Sequence, residues 1–189
     1  MKSLLNTIQQ RRSISPSDYT GGMIDKAHID QILESSRWAP NHKKTQPWRY
    51  KVVQDSGLKK LGTFMTEQFV KDSGKPESFK SRKLSEKIQK SSAVILIFMS
   101  RHPKEAIPEW EEIAAVSMSV QNMWLMAHDL GYGCYWSSPK SFANMEEFDS
   151  ITVSEYDKFL GFLYLGTVAS QNQELPERKS PDDYVEFVS

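Results

Sequence analysis

The sequence predicts a layered domain of interleaved helices and strands, α/β or α+β, with residues 1–189 forming one unit. Three observations carry this. Residues 93–99 read Ala-Val-Ile-Leu-Ile-Phe-Met, apolar without alternation, as expected of a strand covered on both faces. Ile113, Val116, Val120, Met123, Trp124 and Ala127 recur at helical spacing across 109–130. Strand-like and helix-periodic segments alternate along 189 residues, enough for one sizeable domain and short for two.

The elements follow in order. Residues 3–12 place Leu4, Leu5 and Ile8 on one helical face, with Arg11 beside them, before the turn-rich stretch from Ser13 to Gly22. A second helix runs from Asp25 to Trp38 with Ile29, Ile32, Leu33 and Ser36 as its stripe, and Pro40 ends it. A loop over 39–47 leads to a strand at 49–53. Leu58, Leu61, Phe64, Met65 and Phe69 mark a helix over 57–72, and Ser73 to Pro76 separates it from a charged helix over 77–90. After the long helix Gly131 supplies the C-terminal stop. A short strand at 132–136, a short helix at 142–148 and a strand at 159–165 follow, and the tail from Val168 is polar and irregular.

Composition narrows the function classes. Lys+Arg and Asp+Glu number 24 each, so no global field steers the chain to nucleic acid or an anionic membrane, and any anion site must be built locally. A hydrophobic share of 39% is slightly low for a self-contained monomer, while aromatics make up 11%, which hints that some serve a subunit contact or a ligand. The one cysteine, Cys134, excludes an internal disulfide and a cysteine-rich zinc site and fits a reducing compartment. The N-terminal residues lack the continuous apolar run of a signal peptide, and the longest apolar stretch has seven residues. The expectation is a soluble cytoplasmic protein.

Two segments carry chemistry. Arg11-Arg12-Ser13 ends a helix with two guanidiniums and a hydroxyl, a set that suits phosphate oxygens, although arginines also favour a helix C-terminus electrostatically. The loop Ala39-Pro40-Asn41-His42-Lys43-Lys44-Thr45-Gln46-Pro47-Trp48 is rich in hydrogen-bonding groups and stiffened by two prolines. It suits a polyhydroxylated ligand such as a ribityl chain, and equally an ordinary surface loop anchored by Trp48.

Together with Ile107-Pro108-Glu109-Trp110-Glu111, Gln121-Asn122, Gly131-Tyr132-Gly133-Cys134-Tyr135-Trp136 and Gly161-Phe162-Leu163-Tyr164-Leu165-Gly166-Thr167, these segments resemble, in order, the nitroreductase family, in its compact branch. The resemblance implies a three-layer α/β/α fold around a mostly antiparallel sheet, in an intertwined homodimer with FMN at its interface. By the same resemblance Arg11, Arg12 and Ser13 contact the phosphate and pyrimidine edge. Trp38, Asn41 and His42 form the wall from the other subunit, and Trp136, Ser137 and Ser138 lie against the isoalloxazine. Arg178, or Lys179 beside it, matches the last basic phosphate ligand. The implied reaction takes a hydride from NADH or NADPH to flavin N5 and passes electrons to a nitroaromatic, quinone or similar acceptor by a ping-pong route.

The chain departs from the family at Ser137 and Trp38, where relatives tend to carry arginine, which leaves acceptor and nicotinamide preference open. No side chain is expected to act as general acid or base; Arg11 and Arg12 are expected to stabilise the reduced ring. Other flavin chemistry on the same fold, such as dehalogenation or dehydrogenation, a non-catalytic flavin binder and a dimeric interaction module are the alternatives.

Other features favour plainer readings. Cys134 lies among aromatics in a strand, which favours packing over a nucleophile served by His42. His28, His42, His102 and His128 lack metal-ligand spacing, and His28 and His128 are expected on helix surfaces. The acids after Pro108 suit a helix N-terminus, with Glu111 also open to a place near a substrate channel. Met118, Met123, Trp124 and Met126 read as packing, within or between subunits, and Lys80 to Lys90 as a solvated face. Gly131-x-Gly133 follows a helix and precedes a strand, which is not a dinucleotide fingerprint.

Overall fold

The computed structural model describes residues 3–74, 79–138, 145–148, 151–171 and 174–188. In chain order its main elements are α1 (Leu4–Gln10), α2 (Lys26–Ser36), β1 (Trp48–Gln54), α3 (Ser56–Ser73), α4 (Phe79–Lys90), β2 (Ala93–Ser100), α5 (Glu109–Asp129), β3 (Gly133–Ser137) and β4 (Asp157–Gly166). The four strands form one antiparallel sheet in the order β1-β2-β4-β3.

Alternation along β2 sorts the core into two halves. Val94, Leu96 and Phe98 face one side with Leu58, Leu61 and Met65 of α3 and Ile88 of α4. Ala93, Ile95, Ile97 and Met99 face the other with Ile29 and Ile32 of α2 and Val116, Val120, Met123 and Ala127 of α5. Residues Ala93 to Met99 are all buried, as their unbroken apolar run requires. The result is three layers, helices on both faces of an antiparallel sheet.

Local chemistry sets several ends. Asp25 caps α2 by accepting the Ala27 N–H at 2.8 Å. Gly131, with φ at +89°, lets the chain turn out of α5 into β3. β2 and β4 shift register between Ile97 and Phe98, beside Gly161 of β4. Gly161 has φ at +129°, and a Cβ there would lie 2.4 Å from the Ser137 carbonyl oxygen, so only glycine fits.

The structure adds to two expectations and corrects two. The apolar face of α1 does not join this chain's core: Leu4, Leu5 and Ile8 are exposed, and only Thr7 of that helix is buried. Of the helix expected over 142–148, residues 142–144 lie outside the described residues, and Met145–Glu147 form a 3₁₀ turn. His128 is buried and His28 half-buried, its Nδ1 2.6 Å from the Tyr132 hydroxyl, so neither lies free on a helix surface. The described tail is irregular apart from one 3₁₀ turn, Pro181–Asp183, but it is not merely polar. Residues 174–188 are exposed throughout and include Leu175, Tyr184, Val185, Phe187 and Val188. Among the described residues no helix is long and apolar enough to cross a membrane.

Candidate functional site

A strap from Arg11 to Thr20 crosses the end of β3 and β4 and positions the first basic pair. The Ile14 N–H donates to the Cys134 carbonyl at 3.1 Å, and the Thr20 N–H to that of Thr167 at 2.9 Å. Between them the Tyr19 hydroxyl donates to the Tyr164 carbonyl at 3.1 Å. Its ring lies so close to Gly166 that a Cβ there would be 2.2 Å from Tyr19 Cδ2, so the glycine lets the strap sit down on the strand.

Arg11, Arg12 and Arg178 line one cavity with Ile8, Gln9, Leu175 and Pro176. Arg178 thus reaches the basic pair from 167 residues away in sequence. Arg11 lies 4.8 Å over the Trp124 ring, and its Nη1 is buried without a hydrogen-bond partner. Burial first, and then the like charges of Arg12 and Arg178, push the Arg11 guanidinium below its ordinary value. Arg12 is fixed by its own neighbourhood, Nη1 donating to the carbonyls of Gln9 and Arg11 at 2.7 Å each. Trp124 Nε1 donates to the Arg12 carbonyl at 3.3 Å. No ion pair among the described residues engages any of the three arginines. Three like charges around a partnerless buried donor form a site for an anion, and a phosphomonoester supplies both the charge and the acceptor oxygens. The cradle therefore fits the phosphate end of FMN. Ser13 is exposed and adjoins this cavity in sequence without lining it.

The second group gathers elsewhere. Between Pro40 and Pro47 the chain folds back on itself, with Lys43, Lys44 and Gln46 all at positive φ of 44–54°. Asn41 Oδ1 accepts the Gln46 N–H at 3.0 Å, and Thr45 donates to the His42 carbonyl through its N–H and its hydroxyl, both at 3.2 Å. Such strain persists where the surroundings over-determine the loop, and it collects at ligand sites. His42 Nδ1 meets Glu111 Oε2 at 2.6 Å, and both line a cavity with Asn41 and Trp110 at the start of α5. Trp38 is 73% exposed, with Nε1 donating to Glu34 Oε1 at 3.2 Å, on a separate groove with Leu4, Thr7 and Asn122. Among the described residues no hydrogen bond, ion pair or ring contact links Arg11, Arg12 or Ser13 to Trp38, Asn41 or His42.

On β3, Trp136 is half-buried with Nε1 donating to the Leu160 carbonyl at 3.3 Å, Ser137 ends the strand opposite Phe162, and Ser138 follows it out of the sheet. Every acid in the first turn of α5 has a distant partner: Glu109 takes Lys158, Glu111 takes His42, and the fully buried Glu112 takes Arg101 and the His102 N–H. The expected helix-end role is thus joined by tertiary pairing. Sequence reasoning left Trp124 as packing and did not single out Leu175 and Pro176. Trp124 follows Val120 by one helical turn and reads in sequence only as an apolar position, which does not reveal a cation above it. The tail residues carry no periodic signal. No group of three metal-ligating side chains occurs among the described residues.

A family model described as the nitroreductase family matches residues 8–167. The chain belongs to the nitroreductase family. Members use FMN with NAD(P)H as electron donor, and this nitroreductase is an NAD(P)H-dependent flavin oxidoreductase by that membership. It is 25% identical over 139 residues to YdjA of Escherichia coli K12, provisionally named an NAD(P)H nitroreductase, covering 74% of this chain and 75% of the relative. It is 26% identical over 165 residues to YfhC of Bacillus subtilis 168, of the same provisional name, covering 86% and 83%. Among solved structures, a nitroreductase-like family protein from Bacillus cereus is 25% identical with a TM-score of 0.84, covering 100% of this chain and 97% of that one. A protein from Desulfovibrio desulfuricans solved with FMN, at 22% identity and a TM-score of 0.76, covers 100% and 99% and shares the fold.

Proposed function

We propose that this nitroreductase works as a cytoplasmic homodimer that reduces nitroaromatics, quinones or similar electron-poor small molecules by a ping-pong route. The observation that carries the reading is the cluster of Arg11, Arg12 and Arg178 around one cavity, with the Arg11 Nη1 donor buried and partnerless. Bound flavin supplies the two-electron relay between nicotinamide and acceptor.

In this reading Arg11, Arg12 and Arg178 hold the phosphate, Ser13 adds a hydroxyl donor, and the same guanidiniums favour negative charge on the bound ring. Trp136, Ser137 and Ser138 lie along the ring. Trp38, Asn41 and His42 come from the second copy, which agrees with their separation from the arginines in one chain. Two further features support a dimer: the exposed apolar face of α1 and the exposed apolar residues of 174–188, surfaces that a single subunit leaves in water.

The test is direct. Purified protein should be yellow, and NADH or NADPH should bleach it under anaerobic conditions, with parallel double-reciprocal plots against an acceptor. Colourless protein that takes up no added FMN would overturn the proposal, and yellow protein that stays yellow with both nicotinamides would reassign it to flavin storage.

A further inference from the structure

We infer that Trp124 is the residue that positions the basic pair: one indole holds Arg11 by its face and Arg12 by its N–H, and so sets the preference of the cradle for a flavin with a phosphate over one without. The inference rests on the phosphate role given above to Arg11 and Arg12, and adds a residue of α5 that acts on the ligand through them.

Arg11 ends α1. Its N–H still donates to the Thr7 carbonyl at 3.0 Å, but its ψ of 129° is no longer helical. In such extended backbone neighbouring side chains diverge. Arg11 and Arg12 nevertheless line one cavity. Something outside the strap must bring them together.

The Arg11 guanidinium has reason to leave. Arg12 and Arg178 repel it, and among the described residues no hydrogen bond or ion pair engages it. What faces it is the electron-rich ring of Trp124, 4.8 Å from the guanidinium carbon, which attracts a cation without neutralising it. The same indole acts on the next residue by a different route. Its Nε1–H, which can only donate, meets the Arg12 carbonyl at 3.3 Å. The Arg11 carbonyl in turn accepts from Arg12 Nη1 at 2.7 Å, so both carbonyls of the pair are tied. Trp124 is itself well placed to hold a position, because it packs with the α5 half of the core and follows the fully buried Met123. A guanidinium already held at the cavity loses less freedom when an anion arrives than one drawn in from solvent. That advantage acts on the phosphate and leaves a flavin without one nearly unaffected.

The probes are FMN, riboflavin and inorganic phosphate, each added to flavin-free protein. Trp124→Leu should weaken FMN binding about tenfold in Kd by fluorescence titration, while riboflavin affinity stays within about threefold. Trp124→Phe keeps an aromatic face and loses the N–H, and should recover most of the FMN affinity. Nitrogen-15 NMR reads the contact without any flavin. The Arg11 Nε–H signal, identified by its loss in Arg11→Lys, should be shielded by the ring in the parent protein and move downfield in Trp124→Leu. Inorganic phosphate should shift it at several-fold lower concentration in the parent than in the variant. Unchanged FMN affinity, equal losses of FMN and riboflavin, or an Arg11 signal unmoved in Trp124→Leu would each overturn the inference and leave Trp124 a packing residue. Where Trp124→Leu does not fold, the shielding in the parent and its reduction in Trp124→Phe decide the matter. A parent protein that binds FMN no better than riboflavin, or whose arginine signals ignore phosphate, would instead overturn the phosphate reading beneath it.

Discussion

Arg11 and Arg12, neighbours in sequence, carry different physical burdens. Arg12 has Nη1 committed to the Gln9 and Arg11 carbonyls and is held ready. Arg11 is a half-buried cation stacked on Trp124, with one buried donor unspent. Arg12→Ala should weaken FMN binding by about 2 kcal/mol, roughly thirtyfold in Kd, as a lost charge-assisted contact does; fluorescence titration of flavin measures it. Arg11→Met should weaken flavin binding too, yet raise the melting temperature of the flavin-free protein, because a partly desolvated charge with an unmet buried donor beside two like charges is removed. A fall in that temperature would mean that contact with Trp124 outweighs desolvation. The basic pair and the His42 loop were legible because residue type alone announces a phosphate or hydrogen-bonding role. The partnership of His42 with Glu111 was not, since 69 residues separate them and nothing local encodes the meeting.

Elements were legible wherever period and burial agree. β2, α3 and α5 fall within one or two residues of their expected ends, because an unbroken apolar run and a 3.6-residue stripe are each explained by the sheet and helices that cover them. α1 shows the limit of this: its stripe is real, but Leu4, Leu5 and Ile8 find no cover within the chain, so periodicity named a helix without naming what covers it. Val120 teaches a related lesson. It is fully buried against the sheet, so Val120→Asp would unfold the subunit rather than separate two subunits. Gly161 supports β4 in a conformation closed to other residues, and Gly161→Ala should cost about 2–3 kcal/mol in urea unfolding while displacing Trp136, whose indole Nε1 would lie 2.8 Å from the new carbon.

For the molecule as a whole, the exposed face of α1 gives a sharper dimer test than any core position. Leu5→Glu should yield monomers in analytical ultracentrifugation with helix content intact, and flavin should be lost with the dimer; monomers that still hold flavin tightly would contradict a shared site. Stability should also fail at high pH in a defined order. Burial pushes Tyr50 up to about 12, against a partly offsetting hydrogen bond from Ser119, and burial raises Tyr19 and Tyr164 further. A raised phenol favours its protonated form in the folded state, so the contribution is complete below the unfolded value of about 10 and is lost as pH climbs toward the folded value. Tyr50→Phe should therefore flatten the loss of stability between about pH 10 and 12, measured by denaturant titration at each pH.

Cys134 lies under the strap, its carbonyl bonded to Ile14 and its thiol sealed from solvent. The sulfur itself packs with α2 and α5 in the half of the core opposite the strap's Ile14 and Tyr19, so a disulfide reagent can reach it only when α5 parts from the sheet. Its labelling rate is thus a clock for opening between α5 and the sheet, and because α5 carries Trp124 beneath Arg11, bound FMN should slow it.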